Sequence, residues 1–223
     1  LAHLIGDGCV LPRQPIHYTS ADWQNIRIVS DTAKRLFGIK SRVIRQENWY
    51  HVNLPSPYRL THRRYHPITN WFSRLGLKRV RSYDKVLPET LFTSSKMHLR
   101  LFLHHLWATD GNISWKYLSG RKPAAAIYYS TTSKRLAEQV QHLLLRLGIM
   151  ASLRQIHQGK HTPNYQVHVQ GRNQQLLFCQ LVGSYGERGK LVTKIIQALQ
   201  EIDPNPNTDI IPKEVWKTHI EPV

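Results

Sequence analysis

Cysteine is scarce in this 223-residue chain, acidic side chains are few, and long apolar runs are missing altogether. Two cysteines, Cys9 and Cys179, with no CxxC spacing, cannot make a disulfide framework and point to a reducing, cytoplasmic setting. No stretch approaches the roughly 20 apolar residues of a bilayer span, and no basic segment with an apolar core and cleavage site opens the chain, which sets aside membrane and secreted classes. The chain starts without Met inside what reads as a helix, as a segment cut from a longer protein would. Only 14 Asp and Glu stand against 31 Lys and Arg, leaving +17 and a pI near 10.2, so the natural partner is a polyanion.

What is present can build a core. Hydrophobic residues make up 41%, with 6 Trp and 10 Tyr, in a length that suits one large domain or two small ones. The positive charge is uneven. From Lys40 to Lys85 there are eleven basic residues and two acids, a one-sign excess that fits a phosphate-tracking surface better than a salt-bridged helix face. Lys160, His161, His168 and Arg172 continue it without an acid.

The chain repeats itself. The segment 33–46, AKRLFGIKSRVIRQ, is similar to 143–156, LLLRLGIMASLRQI, each an amphipathic helix ending at a glycine suited to a left-handed cap, Gly38 and Gly148. KVLPETLF at 85–92 pairs with DIIPKEVW at 209–216, and LAHLIGDG at 1–8 with LHHLWATDG at 103–111. These pairs keep one order, with offsets of 103, 110 and 124, as a duplicated unit with insertions in its second copy would leave. Pattern and turn chemistry predict helix, two strands, helix, two strands and further helices in each copy. The expected strands are 10–13, 16–20, 42–46 and 49–54, then 113–117, 125–131, 152–157 and 165–170. The expected helices are 21–37, one from Pro67, 134–147, 173–181 and 191–202, with 203–208 a loop.

Two Asp-Gly helix ends carry the chemistry. Leu99, Leu103, Leu106 and Asp110 share one helical face, and Leu4 and Asp7 stand three apart. A carboxylate in the last turn meets the negative end of the helix dipole, unfavourable by roughly 0.3 to 1 kcal/mol, so something must compensate. A divalent cation does this, and two such carboxylates in a basic protein point to metal-assisted phosphodiester cleavage. Taken singly, each Asp-Gly is also ordinary turn sequence.

At this point LAHLIGDG and LHHLWATDG resemble the two signature helices of the LAGLIDADG homing endonucleases. DKVLP is similar to the Lys-and-Pro block before the second signature of intein-borne members, and LLLRLGI to a block after it. The resemblance spans the chain and is nearest to endonuclease domains inside bacterial inteins of the replicative-helicase kind, whose flanking splicing domains would be partners in the native protein. It implies an α+β fold of duplicated αββαββα units in a pseudo-twofold monomer with two saddle-shaped antiparallel sheets, the halves dividing as 1–96 and 97–223. It implies a sequence-specific double-strand DNA endonuclease with a long asymmetric target. Asp7 and Asp110 would hold Mg²⁺ with the carbonyls of Gly6 and Thr109, Mn²⁺ substituting and Ca²⁺ binding without turnover. Lys85 would sit near the scissile phosphate. In the second copy Asp209 falls opposite Lys85, which leaves the half-sites unequal or calls for Lys190 or Lys194 to fold in. His105 falls where the family has a small residue. A catalytically silent DNA-binding or RNA maturase-like relative is the competing reading.

Alternate residues of a two-stranded ribbon can face base edges in a major groove. The candidates are Arg13, His17, Thr19, Arg42, Arg45, His51 and Asn53 in the first copy. In the second they are Ser114, Lys116, Tyr128, Ser130, Arg154, Gln166, His168 and Gln170. Arg59, Arg63, Arg64, Arg121 and Lys122 are loop residues suited to phosphates.

Overall fold

The computed structural model describes residues 1–117, 119, 123–157, 162–203, 215 and 221. Arg121, Lys122, Lys160, His161, Asp209 and Trp216 lie outside them. The elements run α1 (Ala2–Gly6), β1 (Gly8–Cys9), β2 (His17–Ser20), α2 (Trp23–Phe37), β3 (Arg42–Arg45), β4 (Tyr50–Asn53) and α3 (Pro67–Arg74). Then come α4 (Lys96–Asp110), β5 (Gly111–Lys116), β6 (Ala124–Thr131), α5 (Lys134–Arg146), β7 (Ala151–Ile156), β8 (Asn164–Val169), α6 (Arg172–Leu181) and α7 (Val192–Gln200). This is the αββαββα order twice, with one more helix after the second unit. Each half builds an antiparallel four-stranded sheet, ordered β1-β2-β4-β3 and β5-β6-β8-β7. Among the described residues no helix is long and apolar enough to cross a membrane.

Local chemistry explains the element ends. The Asp22 carboxylate caps α2 by accepting from Gln24 N at 2.8 Å, and Pro67 opens α3, where a missing N–H costs nothing. Gly38 (φ 66°) and Gly148 (φ 82°) adopt the left-handed conformation that ends α2 and α5. At both, the next residue's N–H reaches back, Ile39 to Ala33 O at 3.2 Å and Ile149 to Leu144 O at 3.0 Å.

The predicted first strand is the main departure. Only Gly8–Cys9 pairs with β2, and Arg13 sits in a turn at φ 61° rather than on a strand, because Pro12 and Pro15 bracket it and cannot donate to a ladder.

One continuous core joins the halves. The inner faces of the sheets supply Tyr18, Val52, Ile127, Tyr129, Val167 and Val169, and α4 supplies Leu99, Leu103, Leu106 and Trp107, all essentially inaccessible. Helices α1 and α4 pack against each other at the centre. They meet tightly at Gly6, where an added Cβ would land on the Thr109 side chain, 2.5 Å from its Cβ. His105 does not wedge the pair apart. Its Nδ1 lies 3.1 Å from His3 Nε2, and His3 Nδ1 lies 3.2 Å from the Tyr18 hydroxyl, so its bulk is absorbed in a polar chain between the helices. Burial pushes both rings down, His3 to about 3 and His105 to about 4, and keeps them neutral at physiological pH.

Candidate active site

Each central helix runs straight into an edge strand, α1 into β1 and α4 into β5, and Asp7 and Asp110 stand at these junctions. Both strands open on a glycine, Gly8 or Gly111, directly after the carboxylate, and only glycine fits there. A Cβ on Gly8 would meet the Leu4 backbone, and one on Gly111 the Trp107 ring, 2.6 Å from its Cγ. Tight packing of the two helices therefore delivers both carboxylates to one place. Asp7, Asp110, Lys85, Gly6, Thr132 and Asn164 share a cavity of about 290 Å³.

The electrostatics of the cavity are those of a crowded anionic pair. Burial first, and then the Asp110 charge, raise the Asp7 carboxyl to about 7, against the pull of Arg188 and Lys85. Asp110 is also raised, chiefly by burial, with Lys85 and Arg188 opposing. Lys85 donates from Nζ to Gly6 O at 2.6 Å and Gly8 O at 3.0 Å, so its ammonium covers the negative end of α1. Burial lowers the Lys85 pKa despite the two carboxylates. The Tyr129 hydroxyl, fully buried beside Asp110, and Thr132 Oγ1 on the cavity wall lack well-formed hydrogen bonds. Among the described residues no group of three or more His, Cys, Asp or Glu assembles, so the anionic donors of this cavity are its two carboxylates.

The structure thus brings Asp7, Asp110, Lys85, Gly6 and Thr109 together at the helix seam. It also brings in a residue that the sequence reading missed. Arg188, in the 3₁₀ turn Glu187–Leu191, donates to Ala108 O near the end of α4, and its charge acts on both carboxylates. Lys190 does not fold in. It pairs with Glu187 at 2.6 Å with both side chains exposed, and Lys194 is exposed on α7. Nothing in the local sequence around Arg188 marks it, since its position depends on the path of the chain after α6.

The open sheet faces sort the remaining candidates. In the first sheet His17, Thr19, Arg42, His51 and Asn53 share the face opposite Tyr18 and Val52, with the His17 and His51 rings stacked at 4.5 Å. Arg45 does not join them. It pairs with Tyr50, which puts it on the other face, while Ile44 pairs with His51 on the open one. Residues 42 and 45 are an odd number apart, and the pleat sends them opposite ways.

In the second sheet Ser114, Lys116, Tyr128, Ser130, Arg154, Gln166 and His168 share the open face, and Gln170 follows at the strand end, where it accepts from Ser152 Oγ at 3.0 Å. Asn112 and Asn164 also lie on this face and were missed, Asn164 Oδ1 accepting from Ser130 Oγ at 2.7 Å. Arg63 sits at the tip of a tight turn closed by Thr61 and Arg64, and the Arg64 guanidinium lies 3.8 Å over the Tyr58 ring.

Known proteins share both the sequence pattern and the fold. Residues 97–183 match the LAGLIDADG-like domain. The whole chain is 40% identical over 226 residues to the replicative DNA helicase DnaB of Synechocystis sp. and 42% identical to that of Nostoc sp., covering 26% of each. Over 63% of its length it is 32% identical to a DNA gyrase polypeptide of Mycolicibacterium flavescens, 24% of which is covered. The chain therefore spans about a quarter of the length of the curated relatives it matches. Its fold is similar to that of mesophilic variants of the homing endonuclease I-DmoI, with a TM-score of 0.55 over 82% of this chain and 93% of that one, at 14% identity. I-DmoI in complex with DNA and Mn superposes with a TM-score of 0.51 over 87% of this chain and 92% of that one, also at 14% identity. Residues 97–183 thus carry a LAGLIDADG-like domain, and the two linked αββαββα units of the chain share the fold of the homing endonuclease I-DmoI.

Proposed function

We propose that this chain is the endonuclease domain of an intein, that it docks on double-stranded DNA, and that it hydrolyses one phosphodiester in each strand with a divalent cation held at Asp7 and Asp110. The observation that carries the reading is the meeting of two helix-end carboxylates in one cavity, both raised chiefly by burial. Such a pair, with the hydroxyl oxygens of Tyr129 and Thr132 nearby, suits a hard cation that keeps waters and phosphate oxygens as its other ligands. Mg²⁺ is the expected ion. Asp7 and Asp110 would hold it, with the carbonyls of Gly6 and Thr109 as further oxygen donors. Bound there, it would polarise phosphoryl oxygen and lower the pKa of water. Lys85 keeps its ammonium at the cavity, where it can offset charge developing on phosphate.

The intein setting is supported by the company the sequence keeps. Similar segments occupy about a quarter of proteins as unlike as a replicative helicase and a gyrase, which is what a segment that moves between genes would do. Docking is assigned to the two open sheet faces. His17, Thr19, Arg42, His51 and Asn53 would read one half-site and Lys116, Tyr128, Arg154, Gln166 and His168 the other, each good bidentate base contact contributing about 1–3 kcal/mol of discrimination. Arg13, Arg59, Arg63 and Arg64 would take phosphates.

The test is incubation of a plasmid carrying the uninterrupted host-gene sequence with Mg²⁺ or with EDTA. One staggered break in Mg²⁺ and none in EDTA is expected, and binding without cleavage in Mg²⁺ or Mn²⁺ would replace this reading with that of a silent DNA-binding relative. Affinity should also fall by roughly 10³-fold or more between 50 and 200 mM salt, through release of counterions. Arg63→Ala should weaken binding alike on target and non-target DNA and lower the salt slope by about 1, measured by fluorescence anisotropy. A flat salt response would count against a phosphate-tracking surface.

A further inference from the structure

Two side-chain cations act on the paired carboxylates, and they arrive in matching ways. Lys85 comes from the segment after α3 and donates to Gly6 O at the end of α1 and to Gly8 O at the start of β1. Arg188 comes from the segment after α6, the equivalent place in the second unit, and donates to Ala108 O near the end of α4. Each covers the negative end of one central helix, and each acts on both carboxylates.

The turn that carries Arg188 is held from both halves. Glu187 N donates to Asp22 Oδ2 at 2.7 Å, so the residue that caps α2 also anchors this turn. Tyr185 N donates to His104 O at 3.1 Å, and His104 Nδ1 lies 2.7 Å from Val182 O. Gly186 adopts φ 71°, and a Cβ there would strike the Asp22 carboxylate. Asn25 Nδ2 donates to the same Ala108 carbonyl at 3.0 Å. These contacts aim Arg188, whereas neighbouring Lys190 is turned outward to Glu187.

Resting on the endonuclease reading above, we propose that Arg188 is the second half's counterpart of Lys85, a positioning residue that holds the α4 end and its carboxylate for the strand cut on that side. The two strands then meet chemically unequal sites, one with a primary ammonium and one with a planar guanidinium. In the hydrolysis, water oxygen bonds to phosphorus as one ester P–O bond breaks. One water proton ends on the departing alcohol oxygen and the other on the new phosphate or in solvent. Arg188 gives and takes no proton; its role is to supply fixed charge and to set the carbonyl end of α4.

The experiment uses a duplex spanning the uninterrupted insertion site, labelled on each strand in turn, with the wild type, Arg188→Gln, Arg188→Lys and Lys85→Gln. Arg188→Gln is expected to slow one strand by about 100-fold, the size of effect seen when one fixed donor is lost, and to leave the other within about threefold, so that nicked duplex accumulates. Lys85→Gln should slow the opposite strand, and Arg188→Lys should recover part of the lost rate. Equal slowing of both strands by Arg188→Gln would overturn the assignment.

A second readout needs no cleavage. Calorimetric titration of DNA-free protein with Ca²⁺ should show about tenfold tighter binding in Arg188→Gln and in Arg188→Lys a value close to wild type, because a positive charge beside the carboxylates opposes the ion. Unchanged affinity in Arg188→Gln would also overturn it. If the wild type cuts neither strand, the endonuclease reading fails, and the Ca²⁺ titration still decides whether Arg188 acts on the carboxylates.

Discussion

Replacing either Asp7 or Asp110 with Asn is expected to abolish cleavage of both plasmid strands while raising the thermal stability of the metal-free protein. The first effect follows from the loss of an anionic cation ligand. Several kcal/mol of transition-state stabilisation depend on it, and a thousandfold fall in rate corresponds to about 4 kcal/mol. The second follows from the burial of the pair. Asp7 stands at about 7 in the folded protein against 3.8 for an ordinary aspartate, because it is buried beside Asp110, and Asp110 is raised as well.

The folded state therefore binds more protons than the unfolded chain between those values. The pair is no burden below about pH 4, and stability is lost as pH rises through the folded pKa. At pH 8 the metal-free protein carries a cost of at least about 2 kcal/mol, the pull of Lys85 and Arg188 being already contained in the pKa of about 7. Asn removes that cost. Either variant should melt about 4–8 °C above wild type at pH 8 in EDTA, with a smaller gain at pH 5 and almost none below about pH 4. Ca²⁺ or Mg²⁺ should raise the wild-type melting temperature at pH 8 and leave the variants almost unmoved. Scanning fluorimetry across pH, with and without the ion, checks all of this. Retained cleavage, or variants that melt below wild type at pH 8, would count against the cation-holding pair.

Gly6→Val is expected to give the largest loss of stability among single substitutions at the helix seam. Nothing can move aside cheaply there. The Thr109 side chain that a Cβ would meet is itself buried, and its Oγ1 is engaged with Leu106 O at 2.6 Å. Overpacking of a well-filled core costs about 1–3 kcal/mol, and the branched Val side chain should reach the upper end, lowering the melting temperature by about 6–12 °C.

The same displacement would part the two carboxylates, so cleavage should fall even below the melting transition. A double-mutant cycle tests the cause. Gly6→Ala with Thr109→Gly should recover much of the stability that Gly6→Ala loses, giving a coupling energy of about 1 kcal/mol or more in urea melts. Strict additivity of the two changes would mean that the helices do not meet at this point.

The strand pattern shows how far the chain could be read in advance. Gln166 and His168 alternate with Val167 and Val169, and the structure puts the first pair on the open face and the valines in the core. Period-two alternation with half the residues apolar is a local signal, and register follows from it. Where the signal is weak the reading slips. Arg42 and Arg45 are both read as base-facing residues of the ribbon, yet β3 is exposed along its whole length, and only pairing with β4 reveals the face of each residue. Arg13 was placed on a strand that two prolines interrupt.

The site divides in the same manner. Asp7, Asp110 and Lys85 sit in segments that repeat or that resemble family blocks, so they could be picked out. Arg188 sits in a turn with no such marker, and it reaches the end of α4 because Asp22, Gly186 and His104 fold that turn over the helix. Likewise, His105 falls where the resemblance calls for a small residue, and across the seam it meets His3, a partner 102 positions away.

Sequence alone was enough to establish the duplication, the order of helices and strands, the polyanion-seeking charge and the two acidic helix ends, because each is written in neighbouring residues or in a repeat of them. Tertiary structure alone decided which faces are open, how the carboxylates come to share a cavity, and which cations attend them. Those outcomes depend on contacts between residues far apart in the chain, where burial and geometry rather than local preference set the energy.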